Sequence, residues 1–276
     1  MALIMKRTAF YLSDGTGITA ETLGHSMLSQ FGDIEFVQIT LPFVQSDQQT
    51  REAVERINKA CQEDGVKPVV FSTLVNNEHR EILHSCKGMV LDLFGAFLNP
   101  LEEELGVRSN HKINQSHAIR DADSYRIRIN AVHFALDNDD GARTRHYDQA
   151  DIILIGVSRS GKTPTSLYLA LQFGLFAANY PLTEDDFDDL RLPKALQEHK
   201  TKLFGLTINA ERLSAIRSER KSNSKYASLR QCDMELRALE AMYNKHNIPY
   251  LDATELSIEE ISTRVLAMKG LKRRLQ

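Results

Sequence analysis

The octapeptide Gly156-Val-Ser-Arg-Ser-Gly161-Lys162-Thr163 constrains the fold more than any other part of this sequence. It follows the apolar run Ile152-Ile-Leu-Ile155 and precedes the apolar-striped segment Leu167-Tyr-Leu-Ala-Leu-Gln-Phe173. A strand that enters a glycine-rich turn and leaves it as a helix is the start of a right-handed crossover, which makes neighbouring strands parallel. Glycines let the backbone N–H groups of such a loop converge on one anion, and the helix start adds free N–H groups and a positive dipole end. Gly156, Val157, Ser158, Arg159, Ser160, Gly161, Lys162 and Thr163 therefore read as a phosphate cradle. In it Lys162 neutralises phosphate charge and the Thr163 hydroxyl faces Mg²⁺. Pro164, in the first helical turn, gives up only an N–H that has no partner within the helix.

The first half of the chain alternates in the same way. Residues 8–12, 35–41 and 68–75 are rich in β-branched and aromatic residues, which suit pleated, buried strands. Between them, Ala53, Val54, Ile57, Ala60 and Cys61 make one apolar stripe of helical period, and a second stripe runs through 21–31. The expected architecture is α/β: a parallel-sheet domain over 1–145, then a P-loop kinase-like nucleotide-binding domain over 146–276. The boundary is set by the polar turn Asp137-Asn-Asp139-Asp140-Gly141 and the residues after it. A last amphipathic helix is expected over 257–269. Leu229, Cys232, Leu236, Leu239 and Tyr243 form an apolar seam that suits a core or a homodimer contact.

Several chemistries are excluded or left open by what surrounds the loop. No apolar run ending in Asp follows it before residue 210, so the acidic metal partner expected of a nucleotide triphosphatase is missing downstream. Asp252, after Tyr250-Leu251, is either that partner or a strand-end cap. Asn58-Lys59 and Asn244-Lys245 lack the Asp of a guanine-reading element. Arg212, Arg217, Arg220 and Lys221 read equally as a phosphate-clasping lid or a solvated helix face, and the acidic run 184–189 as surface docked by Phe187. Asp139 or Asp140 can orient or deprotonate an attacking hydroxyl. Ser13-Asp14-Gly15-Thr16-Gly17 lies where open α/β sheets collect ligands, or is an ordinary tight turn.

With 34 basic and 37 acidic residues the net charge is −3, so no global positive field draws the chain to nucleic acid or an anionic membrane. No apolar run is long enough to span a bilayer, and the N-terminus leads into a strand-like run rather than a signal sequence. A cytoplasmic protein is expected. Its three widely spaced cysteines suit reduced packing residues better than disulfides or metal ligands.

Ser13-Asp-Gly-Thr-Gly-Ile-Thr-Ala-Glu21, Asp139-Asp-Gly141, Gly156 to Ala170, Phe204-Gly-Leu-Thr-Ile208 and Tyr226-Ala-Ser-Leu-Arg-Gln-Cys232 together resemble the pyruvate, phosphate/water dikinase regulatory protein family. The resemblance spans nearly the whole chain, and Ile39-Thr-Leu-Pro-Phe-Val44 points to its bacterial branch. It implies a bifunctional serine/threonine kinase and pyrophosphorylase whose partner is phosphoenolpyruvate synthase (pyruvate, water dikinase). One activity moves phosphate from ADP to a target threonine, releases AMP and inactivates the target. The other removes that phosphate with inorganic phosphate, forms pyrophosphate and restores activity. The resemblance makes residues 156–163 the ADP site and strengthens Asp139 and Asp140 as hydroxyl-handling acids. Where it implies histidine before the paired acids, this chain has Asn138. Two other classes fit the residues: a nucleotide-sensing module without catalysis, and a small-metabolite kinase.

Overall fold

The computed structural model describes residues 5–110, 122–187, 189–222 and 224–275. The chain forms two units, Met1–Ala118 and Ile119–Gln276.

The first unit runs β1 (Met5–Leu12), α1 (Ile18–Leu28), β2 (Ile34–Leu41), α2 (Asp47–Asp64), β3 (Val69–Ser72), α3 (Asn77–His84), β4 (Met89–Asp92) and α4 (Leu93–Leu105). Its sheet has the order β2-β1-β3-β4, and every pair is parallel. Side chains of β1 alternate between two cores. Phe10 and Leu12 pack with Ala53 and Ile57 of α2, whereas Ala9 and Tyr11 pack with Ala20 and Leu28 of α1. The helical stripe read from residues 53–61 is thus the buried face of α2.

The second unit begins with α5 (Ala122–Asp137) and continues through β5 (Ile152–Gly156), α6 (Lys162–Phe173) and β6 (Ala177–Pro181). The short helices α7 (Glu184–Phe187) and α8 (Lys194–Gln197) follow. Then come β7 (Leu203–Thr207), α9 (Ala210–Arg220), α10 (Leu229–His246), β8 (Tyr250–Asp252) and α11 (Ile258–Lys269). The sheet order is β6-β5-β7-β8, again all parallel. β5 is buried on both faces, as a central parallel strand must be. Ile153 and Ile155 meet Leu239, Met242 and Tyr243 of α10, while Ile152 and Leu154 meet Leu169 and Phe173 of α6 and Val265 of α11. Each of these four fully buried β5 side chains contributes roughly 1.5–3 kcal/mol of transfer free energy.

The division falls upstream of the boundary expected at 145. Helix α5 belongs to the second unit because Ala131 and Ala135 pack against Ala170 of α6, and Phe134 stacks on Phe176 with ring centroids 4.8 Å apart. A polar turn at 137–145 marks the end of that helix, not the end of a domain. Of the apolar seam on α10, Cys232, Leu236, Leu239 and Tyr243 are core, and Leu229 is exposed.

Candidate active site

Strand β5 delivers Gly156 to the carboxyl edge of the sheet, where the backbone turns sharply. A Cβ at Gly156 would lie 2.7 Å from both the Leu206 carbonyl oxygen and Ser160 Oγ, so the site admits only glycine. Gly156→Ala is expected to lose about 1–3 kcal/mol of stability through this overpacking, read as a lowered urea midpoint with an unchanged slope. Val157 is core, and Arg159 and Gly161 take left-handed φ values of 74° and 88°, which turn the loop sharply. No side chain caps α6 at Gly161, so the first turn keeps its N–H groups for a ligand. Ser160 Oγ is buried in the loop with no hydrogen-bond partner among the described residues.

Lys162 is only 4% exposed, and its Nζ donates to the Val157 carbonyl at 3.0 Å. Burial pushes its pKa down to about 8; the Asp140 and Asp139 carboxylates pull it up, and Arg217 pushes it further down. Lys162 is thus a nearly dry ammonium within the field of two carboxylates.

The paired acids lie in a 3₁₀ turn, Asp139–Gly141, that follows α5. Gly141 has φ 72° and the Tyr180 ring 3.0 Å from the position of a Cβ. Buried Asn179 of β6 fastens this turn. Its Nδ2 donates to Asp139 Oδ1 at 2.6 Å, its Oδ1 accepts from the Asp140 N–H at 3.0 Å, and its N–H bonds the Asn138 carbonyl. Thr163 Oγ1 donates to the same Asp139 Oδ1 at 2.7 Å. The carboxylate that meets the loop's threonine thus comes from upstream of the loop, in a turn that the β6 strand holds against the first turn of α6. Asp252 instead accepts from the Thr254 N–H in its own turn, as a strand-end cap.

A carboxylate beside a threonine hydroxyl is a hard oxygen set that suits Mg²⁺, which keeps several waters and takes its other ligands from phosphates. No cluster of three or more His, Cys, Asp or Glu side chains able to hold a metal occurs among the described residues.

Arg217 is neither a lid nor part of a solvated face. It is 1% exposed, and its NH2 donates to Glu235 Oε2 at 2.7 Å and to the Ser158 carbonyl at 3.3 Å. Its NH1 donates to the Tyr226 carbonyl at 3.0 Å, and the guanidinium lies 4.2 Å from the centroid of the Tyr226 ring. Arg212, Arg220 and Lys221 of the same basic set are exposed. Charge spacing alone could not separate them, because Arg217 is distinguished only by its sharing of the buried face of α9 with Leu213. Tyr226 and Asn179 were also missed as site residues; an Asn in a small-residue strand, Ala177-Ala-Asn-Tyr, was the available signal.

In the first unit, the Ser13–Gly17 loop closes β1 and opens α1. The Asp14 carboxylate accepts from the Val75 N–H at 2.8 Å, and Val44 N–H bonds the Ser13 carbonyl. These bonds tie β1 to its neighbours, and burial raises the Asp14 pKa.

A family model described as kinase/pyrophosphorylase matches residues 9–266. The chain belongs to that family. A protein of Alcanivorax borkumensis named "Putative phosphoenolpyruvate synthase regulatory protein" is 89% identical over 272 residues, 99% of this chain and all of the relative. Relatives of the same name from Marinobacter nauticus and Hahella chejuensis are 59% and 57% identical, over 98% and 99% of this chain and 99% and 100% of their own lengths. The kinase/pyrophosphorylase match takes in both the Asp139–Gly141 turn and the P-loop. Among the described residues, no helix is long and apolar enough to cross a membrane.

Proposed function

We propose that this kinase/pyrophosphorylase regulates phosphoenolpyruvate synthase by moving one phosphoryl group in two directions. With ADP as donor it phosphorylates a threonine of the synthase and releases AMP; with inorganic phosphate as acceptor it removes that group as pyrophosphate. The carrying observation is the convergence of Lys162, Thr163 and Asp139 at the P-loop, with Asp140 beside them. Phosphoryl transfer needs little more than in-line placement and charge stabilisation, which this set supplies.

In this reading residues 156–163 bind the phosphates of ADP, with Lys162 on the β-phosphate. Thr163 and Asp139 would hold Mg²⁺, which when bound offsets negative charge between phosphate groups. Asp139 Oδ1 already accepts from Thr163 and Asn179, so exposed Asp140 is the carboxylate free to take the proton of the incoming threonine hydroxyl. Asn138 takes no part in proton transfer: it is buried, and its Nδ2 donates to the Phe134 carbonyl. The names of the relatives support the choice of target.

Incubating the purified protein with ADP labelled in its β-phosphate and with phosphoenolpyruvate synthase tests this reading. Label should appear on a threonine of the synthase, and later addition of unlabelled inorganic phosphate should move it into pyrophosphate. Label on a small molecule would instead make the protein a metabolite kinase. Tight ADP binding with no transfer would make it a sensing module.

A further inference from the structure

Beside the P-loop lies a pocket of ≈ 380 Å³ lined by Ser158, Arg220, Lys221 and Tyr226. We propose that it is a second phosphate subsite, holding a phosphate group next to the one gripped by residues 156–163. This inference rests on the phosphoryl-transfer reading and adds to it the place of a second anion.

Charge is the first argument. Removing phosphate from phosphothreonine with inorganic phosphate brings together two groups that each carry about two negative charges at neutral pH. An inorganic phosphate oxygen bonds to the phosphothreonine phosphorus while the P–Oγ bond breaks. The electron pair of that bond stays on the threonine oxygen, which takes up the proton that the attacking phosphate releases. Asp139 and Asp140 add further negative charge, and within the loop the cations are buried Lys162 and exposed Arg159. Arg217 adds little net charge because Glu235 is bonded to it. Arg220 and Lys221 bring two further cations to the side of the loop where a second phosphate would sit: both are exposed, and neither forms a salt bridge among the described residues.

Geometry is the second. Ser158 belongs to the P-loop, so an anion in the pocket lies next to one in the cradle, as a forming P–O–P link demands. Ser158 Oγ and the Tyr226 hydroxyl are 2.9 Å apart, and an anion that accepts from both would replace their bond to each other. Their positions are fixed from beneath. Arg217 donates to the carbonyls of both residues and underlies the Tyr226 ring, Glu235 holds Arg217, and Gln231 Nε2 donates to Glu235 at 3.0 Å. The pocket therefore has a hydrogen-bonded polar floor and two exposed cations at its rim, an arrangement that suits a phosphate group.

The test compares wild type, R220A/K221A and the charge-preserving R220K/K221R. Each purified full-length protein is titrated with pyrophosphate, which would fill cradle and pocket together, and assayed for phosphate-dependent dephosphorylation of phosphorylated synthase. R220A/K221A should bind pyrophosphate at least tenfold more weakly, and R220K/K221R should recover most of that loss. The KM that rises identifies the occupant: the KM for inorganic phosphate if that anion sits in the pocket, the KM for the phosphorylated synthase if the phosphothreonine does. Pyrophosphate affinity and both KM values within twofold of wild type in R220A/K221A would overturn the proposal. Should wild type transfer no phosphoryl group, the functional reading fails by itself, and the pyrophosphate titration still decides whether the subsite exists.

Discussion

Replacing Lys162 by Met is expected to cut phosphoryl transfer in both directions while making the folded protein more stable. The loss in rate should be about 10²–10³-fold, the usual consequence of removing one preorganised group from developing charge. The gain in stability follows from the burial that pushes the lysine from 10.5 to about 8. Between those two values the unfolded chain binds more protons than the folded one, so wild-type stability rises with pH from about 8 to 10.5. Below about 8 the penalty for holding a charged lysine in the loop is fully present, and it corresponds to roughly 3 kcal/mol. Met fills similar volume without charge. It also leaves the Val157 carbonyl without the Lys162 donor, which costs about 1 kcal/mol. A net stabilisation of about 1–3 kcal/mol at pH 7 is expected in urea unfolding, shrinking as the pH approaches 10.5. A variant less stable than wild type at pH 7 would show that the buried ammonium is not a burden on the fold.

Local and long-range requirements divide which parts of the site could be read from sequence. The P-loop was legible because its requirements are local. Gly156 must leave room for the Leu206 carbonyl, Gly161 must turn left-handed, and Lys162 and Thr163 must open the next helix. Strands and helices were legible because β5 is buried on both faces and α2 on one stripe, and each pattern leaves its own period in the sequence. Partnerships across the sheet leave no such trace. Asp139 meets Thr163 only because Asn179, 40 residues further along, pins the acidic turn to β6. The carboxylate that meets Thr163 lies upstream of the loop, where nothing in the loop's own pattern points. Arg217 has neighbours of its own type in sequence, and its burial is decided by the packing of α9 on α10, with Glu235 waiting there. The division between the two compact units is likewise hidden from local signals: a polar turn shows that a helix has ended, while unit membership depends on what that helix packs against.

Asp139→Asn separates the electrostatic role of this acid from its structural one. The amide keeps an Oδ1 that can accept from Thr163 and Asn179, so the turn and its link to β6 should survive, with unfolding close to that of wild type. The negative charge is lost. If Asp139 and Thr163 hold Mg²⁺, the metal's strengthening of ADP binding should disappear in the variant, and transfer should fall about 10²–10³-fold. A second effect needs no metal at all. The Asp139 carboxylate raises the Lys162 pKa, so its removal lowers that pKa below about 8. With metal chelated, ADP affinity should weaken as pH rises through the Lys162 titration, and in the variant this alkaline decline should begin at a lower pH than in wild type. Calorimetric titration of ADP across pH 6.5–9.5, with and without Mg²⁺, reads both effects. An unmoved alkaline limb together with an intact metal response would mean that Asp139 merely braces the turn. The charge beside the P-loop would then have to come from Asp140 alone.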